Sequence, residues 1–209
     1  MAITNYGELK SSIADYLNRG DMDSVIPTFI DLSEAEFNRT LRVRQMVSRA
    51  EAVIDARFSA VPADFVEAKD LVIVTGTPVT PLQFVTQQEM AQIRNEELTA
   101  AGKPLYFTVV GGQFEFAPTP DNEYSLEMSY YANIDALSAD GDTNWLLTDY
   151  PDIYLYTALT HSAPYLKDDE RTVVWQALAE KAKAELLNRD QASSYSGSTP
   201  RIRIRSFGV

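Results

Sequence analysis

The single histidine of this chain, His161, is the side chain best suited to moving protons near neutral pH. A catalytic triad would need a serine and an acid brought to it from distant positions, and the Gly-x-Ser-x-Gly motif of a nucleophile elbow does not occur. His161 instead lies beside Ser162 in an apolar stretch, which favours a structural histidine bonded to a neighbour. The sequence therefore predicts no catalytic residue, and we expect the protein not to be an enzyme.

The loop DGDTN at residues 140–144 begins like a calcium-binding loop, with oxygen-bearing side chains at alternate positions. The match then fails, because Trp145 stands where such a loop needs glycine and Pro151 where it needs a bidentate glutamate. The chain has no cysteine, which excludes disulfides and thiolate metal sites. Gly111-Gly112 lacks the strand and helix context of a dinucleotide site. We therefore expect no metal and no cofactor.

Charge is distributed unevenly along the 209 residues, whose net charge is −12. Residues 191–209 hold three arginines and no acid, so residues 1–190 carry the remaining 15 basic and all 30 acidic residues, a net charge of −15. Binding to phosphates needs clustered lysine and arginine, so this acidic body argues against specific binding of DNA or RNA. Such acidity also keeps a protein soluble.

Apolar residues recur at helical spacing in two parts of the chain, residues 1–45 and 144–190. The run from Tyr150 to Tyr165 is apolar on nearly all sides, which predicts a central helix surrounded by other parts of the protein. Pro164 is expected to kink or end that helix. A second helix follows a polar corner, and its apolar face is formed by Trp175, Leu178, Ala179, Ala182 and Leu186.

Between these parts, the residues from about 46 to 135 change to the two-residue period of β-strands. Two alternating apolar runs flank Gly111-Gly112 and predict a β-hairpin. Thr86 and Glu89 have the spacing of a capping box, which predicts the start of a short helix. Further strands are expected at residues 50–58, 71–75, 79–84 and 124–132.

Together these patterns predict an α+β protein. An antiparallel helical bundle, made of the N-terminal helices and a C-terminal helical hairpin, would carry an inserted small antiparallel β unit and an extended C-terminal tail. We expect residues 1–190 to form a single domain and residues 191–209 an arm. The first residues, MAITNYGELK, lack the apolar region of a signal peptide, and no run reaches the ~18 residues of a membrane span. We therefore expect a soluble protein with no membrane partner.

The C-terminal arm differs in kind from the rest of the chain. After the polar stretch QASSYSGST, the arm alternates basic and apolar residues with the period of a strand, in Arg201, Ile202, Arg203, Ile204, Arg205 and Phe207. An isolated strand is unstable, so this segment must join a sheet. It could pair with the chain's own β unit. Alternatively it could add to another protein, where Ile202, Ile204 and Phe207 would fill pockets and the arginines would face an acidic partner.

Several stretches, in a fixed order, resemble the head–tail adaptor (connector) proteins of tailed phages. The strongest resemblance lies in TNWLLTDYPDIYLYTALTHSAPYLKDDERTVVWQALAE. Similar stretches are ITNYGELKSSIADYLNRGDM, IPTFIDLSEAEFNRTLRVRQM, VPADFVEAKDL and GGQFEFAPTPDNEYSLEMSYYANIDALS. The resemblance covers residues 3 to about 188, and it rests on the ordered series because no single motif is chemically diagnostic.

The resemblance implies a structural protein of the virion, twelve copies of which form a ring beneath the portal protein. The partners would be the portal, a tail or stopper protein and other copies of this chain, in the neck of the particle after assembly in the host cytoplasm. DNA would pass through an acidic lumen without specific binding. In similar adaptors the C-terminal tail reaches a neighbouring subunit or the portal. The resemblance therefore favours the alternative in which the arm adds as a strand to another protein.

A ring subunit must bury two flanks against its neighbours. Tyrosine, tryptophan and arginine are enriched at protein interfaces, although core packing and helix-dipole effects explain the same residues without a partner. The candidate interface residues are Trp145, Tyr150, Tyr154, Trp175, Arg42 and Arg44.

Two other functions remain open from the sequence. The nearer one is another component of the phage neck, such as a stopper or tail completion protein. The more distant one is a carbohydrate-binding module, which would show a groove of exposed tyrosine and tryptophan beside two carboxylates.

Overall fold

The computed structural model describes residues 3–97, 100–166 and 170–195. It divides into two compact units. The helical unit combines residues 1–39 with residues 135–209, and the β unit comprises residues 40–134. Each unit has its own core, and each is described separately below.

The described residues form six α-helices, five of them centred in the helical unit. Asn5 caps the first helix, because its side chain accepts a hydrogen bond from the amide of Glu8. Asn18, in the left-handed conformation, closes the same helix. The helices are α1 (Tyr6–Leu17), α2 (Ile26–Thr40), α3 (Gln87–Gln92), α4 (Trp145–Asp149), α5 (Pro151–Leu166) and α6 (Thr172–Tyr195).

Helix α5 is the centre of the helical unit. Buried residues occur on all its sides, including Ile153, Tyr154 and Leu159, as expected for a helix that is apolar all round. Pro164 lies inside the helix, which continues to Leu166 rather than ending at the proline. Helix α6 packs on α5 through Trp175, Ala179, Ala182 and Leu186, which are all buried.

The β unit contains two four-stranded sheets. The first sheet has the strand order β1-β8-β3-β4 and is antiparallel throughout. The second has the order β2-β7-β6-β5 and is mixed, because β5 runs parallel to β6. The strands are β1 (Val47–Ile54), β2 (Phe58–Ala60), β3 (Phe65–Ile73), β4 (Thr80–Pro81), β5 (Gln83–Phe84), β6 (Tyr106–Val110), β7 (Gln113–Ala117) and β8 (Tyr124–Ala132).

The two sheets pack face to face as a sandwich. Phe65 of the first sheet meets Phe114 of the second edge-to-face, with ring centroids 5.4 Å apart. The shared core holds Ile54, Leu71, Ile73, Leu126, Met128 and Tyr130 from the first sheet and Phe107, Phe114 and Phe116 from the second. The hairpin predicted at Gly111-Gly112 is present between β6 and β7, and both glycines have positive φ.

The prediction of an antiparallel helical bundle that carries a small antiparallel β unit is wrong. The protein is α+β, but its β part is a sandwich of two sheets, one of them mixed, with a core of its own. The tail prediction also changes, because α6 continues to Tyr195, into the segment expected to be extended. Residues 196–209 lie outside the described residues.

The chain changes sheet where the sequence pattern shows no break. The single strand expected at 50–58 is two strands, β1 in the first sheet and β2 in the second, separated by a bend at residues 55–57. The strand expected at 79–84 is likewise divided between β4 of the first sheet and β5 of the second. The alternation of apolar and polar residues continues through such bends. It therefore predicts a strand, but it does not show which sheet the strand joins.

Candidate interaction surfaces

A buried polar network connects three segments of the helical unit. The hydroxyl of Tyr154 donates to Glu34 Oε1 at 3.3 Å and accepts from Asn144 Nδ2 at 2.7 Å. The backbone amide of Leu137 also donates to Glu34 Oε1, at 3.0 Å. Asn144 completes the network by capping α4 through its Oδ1 and donating to the carbonyl of Asp135.

Burial controls the ionisation of this network. Removal from water raises the pKa of Glu34, and its two hydrogen bonds only partly oppose that effect. Burial also raises the pKa of Tyr154 far above its ordinary value. The hydrogen bonds of this buried network join α2 and α5 to the segment that leads into α4.

His161 belongs to a second cluster, on the side of α5 that faces α2 and α6. Its Nε2 lies 2.9 Å from Glu36 Oε2, and Lys183 of α6 donates to the other oxygen of the same carboxylate. Burial opposes ionisation of Glu36, but Lys183 and His161 outweigh it, so the pKa of Glu36 is lowered. His161 thus contacts the ion pair of Glu36 and Lys183, in a polar cluster that joins three helices.

The acidic loop at residues 140–144 is held by protein groups. Asp142 accepts from the backbone amides of Ser138 and Ala139 at 2.9 and 2.7 Å. Asp140 pairs with Lys10 at 2.6 Å. Within the described ranges, no three His, Asp or Glu side chains are grouped so that they could hold a metal ion.

Four exposed apolar side chains lie where α1, α5 and α6 end or begin. Val173 is 74% exposed and Val174 is 58% exposed in the first turn of α6. Tyr165 near the end of α5 and Tyr16 near the end of α1 are also about half exposed. We call these four residues the helical patch. Its apolar character is typical of a surface that binds another protein.

A second apolar surface lies in the β unit, where the edges of the two sheets meet. A groove of about 380 Å³ runs beside the first half of β3. Phe84 on its rim is 58% exposed and contacts Phe107 edge-to-face at 5.5 Å between centroids. We call it the edge groove, and it is lined by Phe65, Val66, Glu67, Ala68, Lys69, Asp70, Leu82, Phe84, Phe107 and Val109. The lining includes three charged residues, but its aromatic residues are phenylalanines and not the exposed tyrosine and tryptophan expected of a carbohydrate site.

The aromatic residues predicted at subunit interfaces lie at different depths. Tyr154 and Trp175 are buried within the chain, and Arg171 lies over the Trp175 ring at 5.0 Å. Trp145 and Tyr150 are half-buried, and the Arg189 guanidinium lies 5.9 Å from the Tyr150 ring. The roles of all four at an interface stay predictions.

The two predicted arginines belong to the β unit. Arg42 bonds Glu67 at 2.9 Å and lies over the Tyr131 ring at 5.9 Å. Arg44 is exposed. The four aromatic residues belong to the helical unit. Arg201, Ile202, Arg203, Ile204, Arg205 and Phe207 lie outside the described residues.

Sequence reasoning missed both surfaces. For the helical patch there was a usable signal, because Val173 and Val174 precede Trp175 and so point away from the helix face that Trp175 buries. For the edge groove no local signal exists, since it depends on β4 and β5 being short enough to leave neighbouring strands uncovered.

These features define a class of protein. Exposed apolar side chains are present in both units. The polar clusters of the helical unit join helices, and in the β unit the buried Glu115 of β7 pairs with Arg57 and Arg94. None of the helices in the described ranges is both long and apolar enough to cross a membrane. Exposed apolar side chains of this kind are typical of proteins that act through contacts with other proteins.

The chain matches the family model described as SU10 adaptor protein over residues 4–204. It therefore belongs to this family of phage adaptor proteins, as the resemblance to tailed-phage head–tail adaptors predicted. Members are structural components of the phage particle and contact other virion proteins. No curated protein matches the chain.

Proposed function

We propose that this protein is a head–tail adaptor that assembles as a ring of twelve copies under the portal, in the neck of the virion. The ring joins the portal vertex to the tail or to a stopper protein and surrounds the passage for DNA. The observation that carries this proposal is the family match over residues 4–204, which spans both units. The two units together act as one adaptor domain, residues 1–190, followed by an arm.

The helical patch supports the assembly of a ring. A ring is built from heterologous contacts, in which two different surfaces of each subunit meet. Val173, Val174, Tyr165 and Tyr16 offer one such surface, because they are apolar, exposed and contributed by three helices of one unit. Trp145 and Tyr150, which are half-buried, and the exposed Arg44 are candidates for the opposite flank.

The charge of the chain supports a DNA passage without binding. Residues 1–190 have a net charge of −15, and a lumen with this charge would repel phosphate groups. DNA would then slide through the ring. The basic arm, with Arg201, Arg203 and Arg205, would instead latch onto an acidic surface of the portal or of a neighbouring subunit.

A matched pair of substitutions tests the role of the helical patch. Val173→Asp puts an acid in the first turn of α6, where the helix dipole favours it, so the fold should be retained. Val79→Asp is the control, since Val79 is 57% exposed in a loop of the β unit. The proposal predicts that V173D lowers the amount of protein bound to isolated portal rings at least tenfold, whereas V79D binds like the wild type.

Sedimentation of the portal with each variant measures this difference. Equal binding by V173D and the wild type would show that the helical patch is not part of the interface. Binding to isolated tails but not to portals would assign the protein to another part of the neck, such as the stopper or tail completion protein.

A further inference from the structure

Strand β3 has an open edge along its first half. On one side it pairs with β8 from Phe65 to Ile73. On the other side β4 pairs only with Val72 and Ile73. No strand of the described ranges pairs with residues 65–70 on that side. Open edges of this kind accept an additional strand through backbone hydrogen bonds.

The interior side of this open edge is apolar. A strand added beside residues 65–70 would direct alternate side chains into the edge groove. There they would meet Phe65, Phe84, Phe107 and Val109, which line a space of about 380 Å³. That volume is enough for a few aliphatic side chains and is open to solvent in the chain as it stands.

The outer side of the same edge is acidic. Glu67 and Asp70 are exposed and lie opposite Tyr131 and Ser129 of β8, on the face away from the sandwich core. Glu67 pairs with Arg42, whereas Asp70 makes no ion pair within the described part of the chain. Basic side chains on the outer face of an added strand would therefore find a carboxylate beside them.

The C-terminal segment 201–207 has the complementary pattern. Ile202 and Ile204 alternate with Arg201, Arg203 and Arg205, so an extended segment puts isoleucines on one face and arginines on the other. The isoleucines match the edge groove, and the arginines match Glu67 and Asp70. The open stretch 65–70 and the alternating stretch 201–206 are also equally long.

The other edge of the first sheet fits this segment poorly. Strand β1 is the edge strand there, and its outer face carries Arg49, which pairs with Glu127 at 3.1 Å. The depression beside it is lined by Arg49, Ala50, Glu51 and Glu127, without the aromatic side chains of the edge groove. Carboxylates are present at this edge too, in Glu51 and Glu127, but the isoleucines of the segment would find none of the aromatic side chains of the edge groove there.

We propose that residues 201–207 of a second copy of this chain add as a strand to the open edge of β3, with Ile202 and Ile204 in the edge groove. Each copy then offers one groove and one arm, so the contact is heterologous and repeats around a closed ring. This inference rests on the proposed ring function, and it names the neighbouring subunit as the partner of the arm.

Single cysteines test the contact directly, because the natural chain contains none. Asp70→Cys marks the open edge and Arg203→Cys marks the arm, each in a separate full-length chain. Mixing the two variants with a short bismaleimide should give a cross-linked pair of chains. Val53→Cys, exposed on β1 at the opposite edge, replaces D70C in the control.

The proposal predicts at least fivefold more cross-linked pairs with D70C than with V53C, in mixtures with R203C. Adding Ile204→Asp to the arm should reduce the D70C product to the control level. Equal yields at the two edges would overturn the proposal. A chain carrying both D70C and R203C that cross-links only within itself would also overturn it, because the arm would then occupy its own groove.

Failure of this contact can be told apart from failure of the adaptor function. Phe84→Ser removes an exposed ring of the groove, and Phe58→Ser removes an exposed ring at the far edge of the second sheet as its control. If F84S and F58S, each introduced into the D70C chain, cross-link to R203C equally well while both bind the portal, this inference is wrong and the adaptor function stands. If no variant binds the portal, the adaptor function itself is wrong.

Discussion

Glu34 and Glu36 lie two positions apart on α2 but have opposite electrostatic environments. Burial raises the pKa of Glu34, whereas Lys183 and His161 overcome burial and lower the pKa of Glu36. The carboxyl of Glu34 belongs to a hydrogen-bonded network with Tyr154, and that of Glu36 to an ion-pair cluster. Neighbouring acids on one helix therefore make opposite contributions to stability as the pH changes.

We expect Glu34 to cost stability as the pH rises. Above its ordinary pKa of 4.5 the unfolded chain releases this proton, while the folded chain keeps it until its own, higher pKa is reached. The folded state then binds more protons, so stability falls with rising pH. Urea unfolding of the wild type and of Glu34→Gln measures this effect. From about pH 4.5 upward, the free energy of unfolding of the wild type should fall relative to that of E34Q.

Glu36→Gln is the matched substitution with the opposite sign. The folded pKa of Glu36 lies below 4.5, so its contribution is present above that pH and is lost as the pH falls through the folded pKa. E36Q should therefore be less stable than the wild type at pH 7 and approach it at pH 3. If the stability of E34Q and of E36Q, each relative to the wild type, changed with pH in the same direction, the opposite pKa shifts of Glu34 and Glu36 would be contradicted.

Asn144 combines two roles, and its loss should be costly. Its Oδ1 caps α4, and its Nδ2 donates to Tyr154 and to the carbonyl of Asp135. Asn144→Ala should lower the free energy of unfolding by about 2–4 kcal/mol, because it removes a cap and leaves buried groups unpaired. Asn5→Ala, which removes only the cap of α1, should cost about 1 kcal/mol in the same assay.

At the scale of elements, the hairpin turn between β6 and β7 depends on its glycines. Gly112 has φ of 76°, and no atom lies within 4 Å of the position where a Cβ would be added. Gly112→Ala should therefore destabilise by about 1–2 kcal/mol through backbone strain alone. Gly20→Ala is the control, since Gly20 has the same open surroundings without a positive φ. A thermal melt showing equal shifts for both would contradict the strain argument.

Local patterns predicted the elements whose cause is local. The hairpin follows from Gly111-Gly112 between two alternating runs, and the capping box of Thr86 and Glu89 begins α3 as predicted. The central position of α5 follows from its apolar residues on all sides. Each of these features depends on residues that are close together in the sequence, so their spacing predicts the local structure directly.

Contacts between residues far apart in the sequence could not be predicted from local patterns in the same way. The bend at residues 55–57 and the short strands β4 and β5 are too brief to interrupt an alternating pattern, so the second sheet was missed. The hydrogen bond between Glu34 and Tyr154 joins positions 120 residues apart. Tyr154 resembles an interface tyrosine in sequence, although within the chain its side chain is fully buried.

At the scale of the whole molecule, the arm should matter for assembly and not for folding. Helix α6 ends at Tyr195, and the core residues of the described part of the chain all precede that position. Deleting residues 196–209 should leave the melting temperature of the isolated protein within about 2 °C of the wild type, because the deletion removes none of the core residues found in the described part of the chain. The truncated chain should no longer join portal-bearing heads. Undiminished joining would exclude the arm as a latch.

The most direct test of the adaptor function is the native mass of the full-length protein, alone and mixed with isolated portal rings of the same phage. The adaptor function predicts a stable complex in which twelve copies of this chain are added to one portal ring. A mass equal to the sum of the two separate proteins, with no complex at micromolar concentrations, would contradict it.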